Sequence, residues 1–288
     1  MLQTNEDKLI KMAVLAEVVH PRSSGGYMTG PEGEPRIGYG MNGIKYNITV
    51  GDLCSGWEGG EHIEPGLSVT NKDRADNNAL STLACIGDEI EVITGDAKGA
   101  RGYVIGKHNN FMIWLKEEDQ KKIHIEDKIQ IEAWGVGLKI KGFEDVTINK
   151  ISPMLLQKIG IKVKDGKLVV PVTAEYPAYI MGSGYGMFPV QIDYDIETTC
   201  PTSNDELNLK NIRFGDIVAL KDQLNMWGRG YYKDAVTIGV VIHGWSNHPG
   251  HGPGVTTIMS AMPGKINTIV DHHANIAYYL GIKQKPKK

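Results

Sequence analysis

The stretch His243-Gly244-Trp245-Ser246-Asn247-His248-Pro249-Gly250-His251-Gly252-Pro253-Gly254 places three histidines in a segment too rich in glycine and proline to be helix. Neutral imidazole is the commonest protein ligand for a divalent transition metal. Three rings converging at about 2.0–2.1 Å would hold an ion with a further position open for water. Water held in this way loses a proton near pH ~7, which is the requirement of hydrolysis at neutral pH. His243, His248 and His251 are therefore the expected ligands of a divalent ion, zinc or similar. Pro249 and Gly250 allow a bend that brings the last two rings to one side. The same residues would equally suit a hairpin loop whose imidazoles bond backbone carbonyls, since no His-Glu-x-x-His spacing is present.

Two further segments could complete such a site. In Glu61-His62-Ile63-Glu64, the side chains of His62 and Glu64 would share one face of an extended strand, as a further ligand or a catalytic base. A solvated loop with outward charges is the alternative. Lys98 and Lys107 flank the Gly99-Ala100-Arg101-Gly102 turn and could bind phosphate or carboxylate. The same hairpin could touch RNA, although Glu89, Glu91 and Asp96 beside it argue against that. Gly182-Ser183-Gly184 opens a second glycine-rich loop whose backbone N–H groups could form an anion nest. Its glycine spacing does not fit a dinucleotide fingerprint, and Phe188 to Asp193 continue as a strand, so no nucleotide cofactor is expected.

The elements that must position these groups are mostly strands. Thirty-five glycines punctuate runs of alternating isoleucine and valine. One unit recurs: a turn ending in Gly-Asp or Glu-Asp, followed by a period-two strand, at Asp88, Asp127, Asp216 and more weakly at Asp52. The aspartate can accept a hydrogen bond from a backbone amide just ahead of it and so close the turn. Glu89 to Val92 and Tyr103 to Gly106 read as a hairpin, with Ile90 and Val92 on the buried face. Ala235 to His243 and Val255 to Ala261 read as two strands joined by the histidine loop. Ser152 and Pro153 start a short helix that Gly160 ends, and a second helix is expected from about Asn267 to Leu280. The fold class is mainly β (β-rich α+β): small antiparallel β-barrels or sandwiches with a few short helices, one near the C-terminus. The polar run from Lys116 to Lys122 suggests two β-rich domains, 1–122 and 123–288.

Composition limits the function classes. With 41% apolar and 23% charged residues in 288, and a formal net charge of -3, the chain is an ordinary globular one without the basic footprint of a nucleic-acid binder. Three widely spaced cysteines make neither a disulfide framework nor a zinc knuckle, and the polar N-terminus is unlike a signal peptide, so a cytoplasmic location is expected. No segment reaches the ~18 uninterrupted apolar residues of a membrane helix. The expected partners are a small-molecule ligand and further copies of the chain, with Trp57, Trp227 and Trp245 suited to an interface.

Glu61-His62-Ile63-Glu64-Pro65-Gly66, Ala79 to Gly87, Gly95-Asp96-Ala97-Lys98-Gly99, Gly106-Lys107-His108, Met181-Gly182-Ser183-Gly184 and Gly250 to Thr256 together resemble an uncharacterised prokaryotic family carried as a domain of unknown function. That resemblance spans nearly the whole chain and implies no particular activity. Gly215-Asp216 and the Gly250 to Gly254 loop bear a fainter similarity to the acetamidase and formamidase family of β-rich amide hydrolases, whose acidic Gly-Asp-Gly-Glu pattern is Gly-His-Gly-Pro-Gly here. The two functions expected are a metal-dependent hydrolase of a small polar, amide-like metabolite, and a non-enzymatic oligomeric β-barrel protein that binds a small anion or a partner.

Overall fold

The structure is a computed structural model that describes residues 2–22, 28–30, 32–36, 40–184, 193–228 and 230–285. Tyr185 and Gly186 of the second glycine-rich loop, and the strand residues expected at 188–192, lie outside these.

Six antiparallel strands close into a barrel: β1 (Met12–Val18), β2 (Leu67–Thr70), β3 (Glu89–Val92), β4 (Arg101–Lys107), β5 (Phe111–Trp114) and β6 (Lys128–Ala133). Their order around the barrel is β1-β2-β5-β4-β3-β6, and β6 returns to β1 with Val14 opposite Ile131 and Ala16 opposite Ile129. Period two explains the closure. In β6, Ile129, Ile131 and Ala133 face inward while Lys128, Gln130 and Glu132 face solvent. Closure also leaves no edge strand to pair with another chain. Leu80, the one fully buried residue of helix α1 (Arg74–Leu83), joins the barrel core. A division at 122/123 falls just after the short helix α2 (Glu117–Gln120) and ahead of the strand that closes the barrel.

The rest of the chain builds a second layer with its own core. The strands are β7 (Thr147–Ile148), β8 (Lys162–Lys164), β9 (Lys167–Val172), β10 (Ala174–Tyr176), β11 (Asp193–Asp195), β12 (Ile217–Leu224), β13 (Gly230–Val241), β14 (Gly254–Ala261) and β15 (Ile266–Val270). They form one sheet in the order β10-β12-β13-β14-β11, with β7 beside β14, and a small sheet β8-β9-β15. Helices α3 (Pro153–Lys158), α4 (Pro201–Glu206) and α5 (Ile276–Tyr279) are short. The fold is thus mainly β with few helices, one near the C-terminus.

The turn chemistry follows the sequence pattern. Asp52, Asp88, Asp127 and Asp216 each accept, through Oδ2, the backbone N–H three residues earlier, from Thr49, Cys85, His124 and Arg213 at 2.7–2.9 Å. Ser152 Oγ accepts the Leu155 N–H at 3.2 Å and so caps α3, as expected. The helix expected over Asn267 to Leu280 is corrected. Its first part is strand β15, paired in parallel with β9, and only Ile276–Tyr279 is helical. The β-branched run Thr268-Ile269-Val270 favours a strand once a partner is available. Trp57 and Trp245 pack partly buried on the second core, so of the three tryptophans expected at an interface only Trp227, at 78% exposure, stands in solvent.

The two layers meet where β4 crosses the second sheet. Ile105 and Met112 turn outward from the barrel into the second core, Gly106 lies against Ile242, and Thr256 Oγ1 donates to the Lys107 carbonyl at 2.9 Å. This seam carries the site.

Candidate metal centre

Four segments deliver side chains to the seam. The loop before β2 brings Glu61, His62 and Glu64; the β4–β5 turn brings His108; β11 brings Asp193 and Asp195; and the end of β13 with its connection to β14 brings His243 and His251. Alternation along β11 puts Asp193 and Asp195 on one face and Tyr194 on the other. Tyr194 buries its ring in the second core, and its hydroxyl bonds Asn225 Oδ1 at 2.5 Å.

The distances are those of a tightly gathered donor set. His62 Nε2 lies 3.0 Å from His251 Nδ1 and 3.6 Å from Asp195 Oδ2, and His251 Nδ1 lies 2.8 Å from the same oxygen. His243 Nε2 lies 3.0 Å from Asp193 Oδ2 and 3.2 Å from Asp195 Oδ1. The rings of His108 and His243 are 4.4 Å apart between centroids. His62, Asp195 and His251 form one group, and His108, Asp193 and His243 another, with the donor atoms of each within 4.8 Å of one another.

Behind the donors stands an orienting layer. Glu64 Oε1 is 3.0 Å from His108 Nδ1, while Glu64 Oε2 accepts the Asn42 N–H at 2.8 Å and the Ser68 hydroxyl at 2.5 Å. Lys45 Nζ donates to Ser68 Oγ and to the Asn42 carbonyl. Glu61 Oε1 accepts the Asn247 N–H at 2.9 Å, leaving Oε2 buried beside His62 Nδ1 at 3.7 Å.

Charge follows from burial and pairing. Burial would raise the Glu64 carboxyl, but the hydrogen bond and charge of His108, with Lys45, hold it at about 2. Burial would likewise raise Asp195 and Asp193. The imidazoles around them, His243 foremost for Asp195 and His108 for Asp193, lower both, Asp195 well below the usual carboxylate range. His243 is pushed up to about 10, because Asp195 and Asp193 outweigh the burial that would lower it. His62 moves down, since burial outweighs its contact with Asp195. Lys45 falls to about 8 through burial against the pull of Glu64. His243 thus shares its Nε2 with two carboxylates that favour a positive charge at this point. A divalent cation would compete with a proton for the same donors.

The structure brings some of the expected residues together and separates others. His62, His243 and His251 converge. His248 lies outside both groups, although its ring is 4.8 Å from that of His251, and its Nδ1 is 3.1 Å from the Thr29 carbonyl. Glu64 reaches the site by a different route from the extended strand expected, because His62 adopts a left-handed backbone with φ +48°. Both Glu64 oxygens are occupied, so it orients His108 in place of meeting a substrate. Lys107 is buried, and burial lowers its ammonium against the pull of Asp193 and Glu64. Lys98 sits in the exposed turn between β3 and β4, and among the described residues no hydrogen bond or ion pair links it to the cluster. The Gly182 and Ser183 N–H groups donate to the Asp195 and Gly250 carbonyls at 2.8 and 2.6 Å, and Asp195 N–H donates to the Ser183 carbonyl. These donors are consumed in bracing β11, so the expected anion nest is replaced by a scaffold.

His108, Asp193, Asp195 and Glu61 escaped the sequence analysis. Asp-Tyr-Asp, with two carboxylates on one face of a strand and an aromatic on the other, was the available signal. His251 reaches Asp195 because Gly252 lets its loop lie on the backbone after β11: a Cβ there would collide with the Ile196 carbonyl. Thr198 N–H then bonds the His251 carbonyl, and Ile196 N–H that of Pro253.

Residues 27–157 match the family model described as "Domain of unknown function (DUF4438), N-terminal", and residues 158–280 match its C-terminal counterpart. The chain belongs to the DUF4438 family. A solved structure titled "Crystal structure of TM1086" is 41% identical, covers 97% of this chain and 99% of that one, and superposes with a TM-score of 0.92. No curated protein matches the chain. These matches show the family and do not extend to acetamidase or formamidase. The division between the two DUF4438 models falls at the end of α3, so each half supplies part of the centre: His62, Glu64 and His108 from the first, Asp193, Asp195, His243 and His251 from the second.

Proposed function

We propose that the protein is a metal-dependent hydrolase acting on a small polar metabolite, with amides the first class to examine. The observation that carries this reading is the convergence of His62, His108, His243 and His251 on Asp193 and Asp195, with a carboxylate set behind His108 and another beside His62. Mixed imidazole and carboxylate donors suit zinc or a similar divalent ion, and a buried carboxylate holding the far nitrogen of a ligand histidine is the usual means of fixing its tautomer. A bound ion would act as a Lewis acid and bring the ionisation of water toward pH ~7. His251, whose side chain is 28% exposed, is the part of the cluster nearest solvent, so a substrate would approach from its side. Lys107, which interacts electrostatically with Asp193 and Glu64, would favour an anionic group or developing negative charge there.

The test uses untagged protein, plasma mass spectrometry for metal, and chelator-dependent melting. Hydrolysis of acetamide, formamide and longer primary amides is followed by ammonia release. A bound transition metal, a lower melting temperature with chelator, and amide hydrolysis restored by added Zn²⁺ are expected. Protein with no ion and no response to chelator refutes the metal centre.

A second reading, an oligomeric β-barrel protein, is favoured by the exposed aromatics Trp227, Tyr231 and Tyr232 near the β12–β13 turn. Light scattering on the wild type and on Trp227→Ser with Tyr231→Ser would show dissociation if that surface joins subunits, and no change if it does not.

A further inference from the structure

We infer that the centre holds two divalent ions bridged by Asp195. The inference rests on the reading of this cluster as a metal site and adds a second ion to it.

The donors exceed what one ion uses. A metal that keeps an open position takes three or four protein ligands, whereas four imidazoles and two aspartates meet here. They are also already sorted. Around the first position stand His62 Nε2, His251 Nδ1 and Asp195 Oδ2, separated by 3.0, 3.6 and 2.8 Å. Donors at tetrahedral angles around an ion at roughly 2.0–2.1 Å are about 3.4 Å apart, so this triangle accepts an ion with small adjustments. Around the second position stand His243 Nε2 and Asp193 Oδ2, 3.0 Å apart, with His108 completing the group. His108 Nδ1 faces Glu64 Oε1, which leaves Nε2 as the donor.

Asp195 connects the two. Its Oδ2 belongs to the first triangle, and its Oδ1 lies 3.2 Å from His243 Nε2 in the second. One carboxylate presenting a different oxygen to each position is the arrangement that holds two ions roughly 3.5–4 Å apart. The backbone makes this possible: Asp195 is buried on β11 opposite Gly254, which has no side chain to intrude on His243 Nε2 and Asp193 Oδ2 of the second triangle.

Both triangles also have an acceptor at the far side of a histidine. Glu64 serves His108 in the second, and Glu61, with one buried oxygen that has no hydrogen-bond partner among the described residues and lies 3.7 Å from His62 Nδ1, stands ready in the first. If only one position were used, a carboxylate would be buried at the other without a ligand to orient.

The full-length chain is stripped with chelator, reloaded with Zn²⁺ or Mn²⁺ and desalted, and ions per chain are counted by plasma mass spectrometry. The Mn²⁺ form is also examined by electron paramagnetic resonance. Two ions per wild-type chain and an exchange-coupled Mn²⁺ spectrum are expected. His251→Ala and His108→Ala, which remove a ligand from opposite triangles, should each fall to one ion and lose the coupling. Near-ultraviolet circular dichroism checks that the variants fold, and if one does not, the wild-type count and spectrum decide. One ion per wild-type chain, or two ions without coupling, overturns the bridged pair while leaving a metal-dependent enzyme standing. No bound ion overturns both.

Discussion

Gly254→Ala adds a single methyl group without replacing any proposed ligand, and the structure indicates what it must do. Gly254 begins β14 beside the centre, and its N–H lies 3.3 Å from His243 Nδ1. A Cβ at this position would sit 2.5 Å from Asp193 Oδ2 and closer still to His243 Nε2 and Cδ2. Ordinary contact for such atoms is about 3.5 Å, so the carboxylate must withdraw by roughly 1 Å and the imidazole by somewhat more, or the backbone must shift. Ligand positions are tolerated only within about 0.2 Å of ideal, and disturbing even an outer partner of a metal ligand costs ~10–100-fold in affinity. The expected result is at least about 100-fold weaker metal binding by isothermal titration. Overpacking should add an apo-state destabilisation of about 1–3 kcal/mol in denaturant unfolding. Wild-type affinity in a folded Gly254→Ala protein would refute the placement of His243 Nε2 and Asp193 at the ion.

Glu64 has an ordinary value of 4.5 and is held at about 2 in the fold. Its contribution is therefore fully present above pH ~4.5 and is lost as the pH falls toward 2. At 1.36 kcal/mol per unit this is roughly 3 kcal/mol, so the stability gap between wild type and Glu64→Gln in urea should shrink by about that amount from pH 5 to pH 2. Parallel curves would refute it. Asn275→Ala should cost about 2–3 kcal/mol in urea unfolding without altering metal content. Asn275 caps α5 through the Ala277 N–H at 2.8 Å and ties it to Asp216 and the Phe214 carbonyl. A loss under 1 kcal/mol would remove that account. His248→Ala should leave metal affinity and count unchanged, because His248 stands outside both donor groups, and a lower count would place it at the ion.

Much of the architecture was legible because it rests on short-range physics. Period-two alternation in Lys128–Ala133 marks a strand with one buried face, and four aspartates close their own turns through contacts three residues away. Ser152 and Pro153 start a helix by satisfying a local N–H. The expected helix over Asn267 to Leu280 failed at Ile266–Val270 for the complementary reason. Its apolar spacing suits either period, and the choice was made by β9, almost a hundred positions earlier in the chain.

The centre divides along the same line. The sequence by itself determined that His243 and His251 share one hairpin connection, and that His62 and Glu64 are close neighbours, because covalent connection and strand pairing bring such residues near each other. Only the tertiary structure decided that His251 meets His62 across 189 positions, that His108 and His243 face one pair of aspartates, and that His248 is left out. The reason is that two layers with distinct cores meet along a seam. Gly106 lets β4 lie against Ile242 there, and contacts across the seam depend on how the layers pack, which no local period or propensity records.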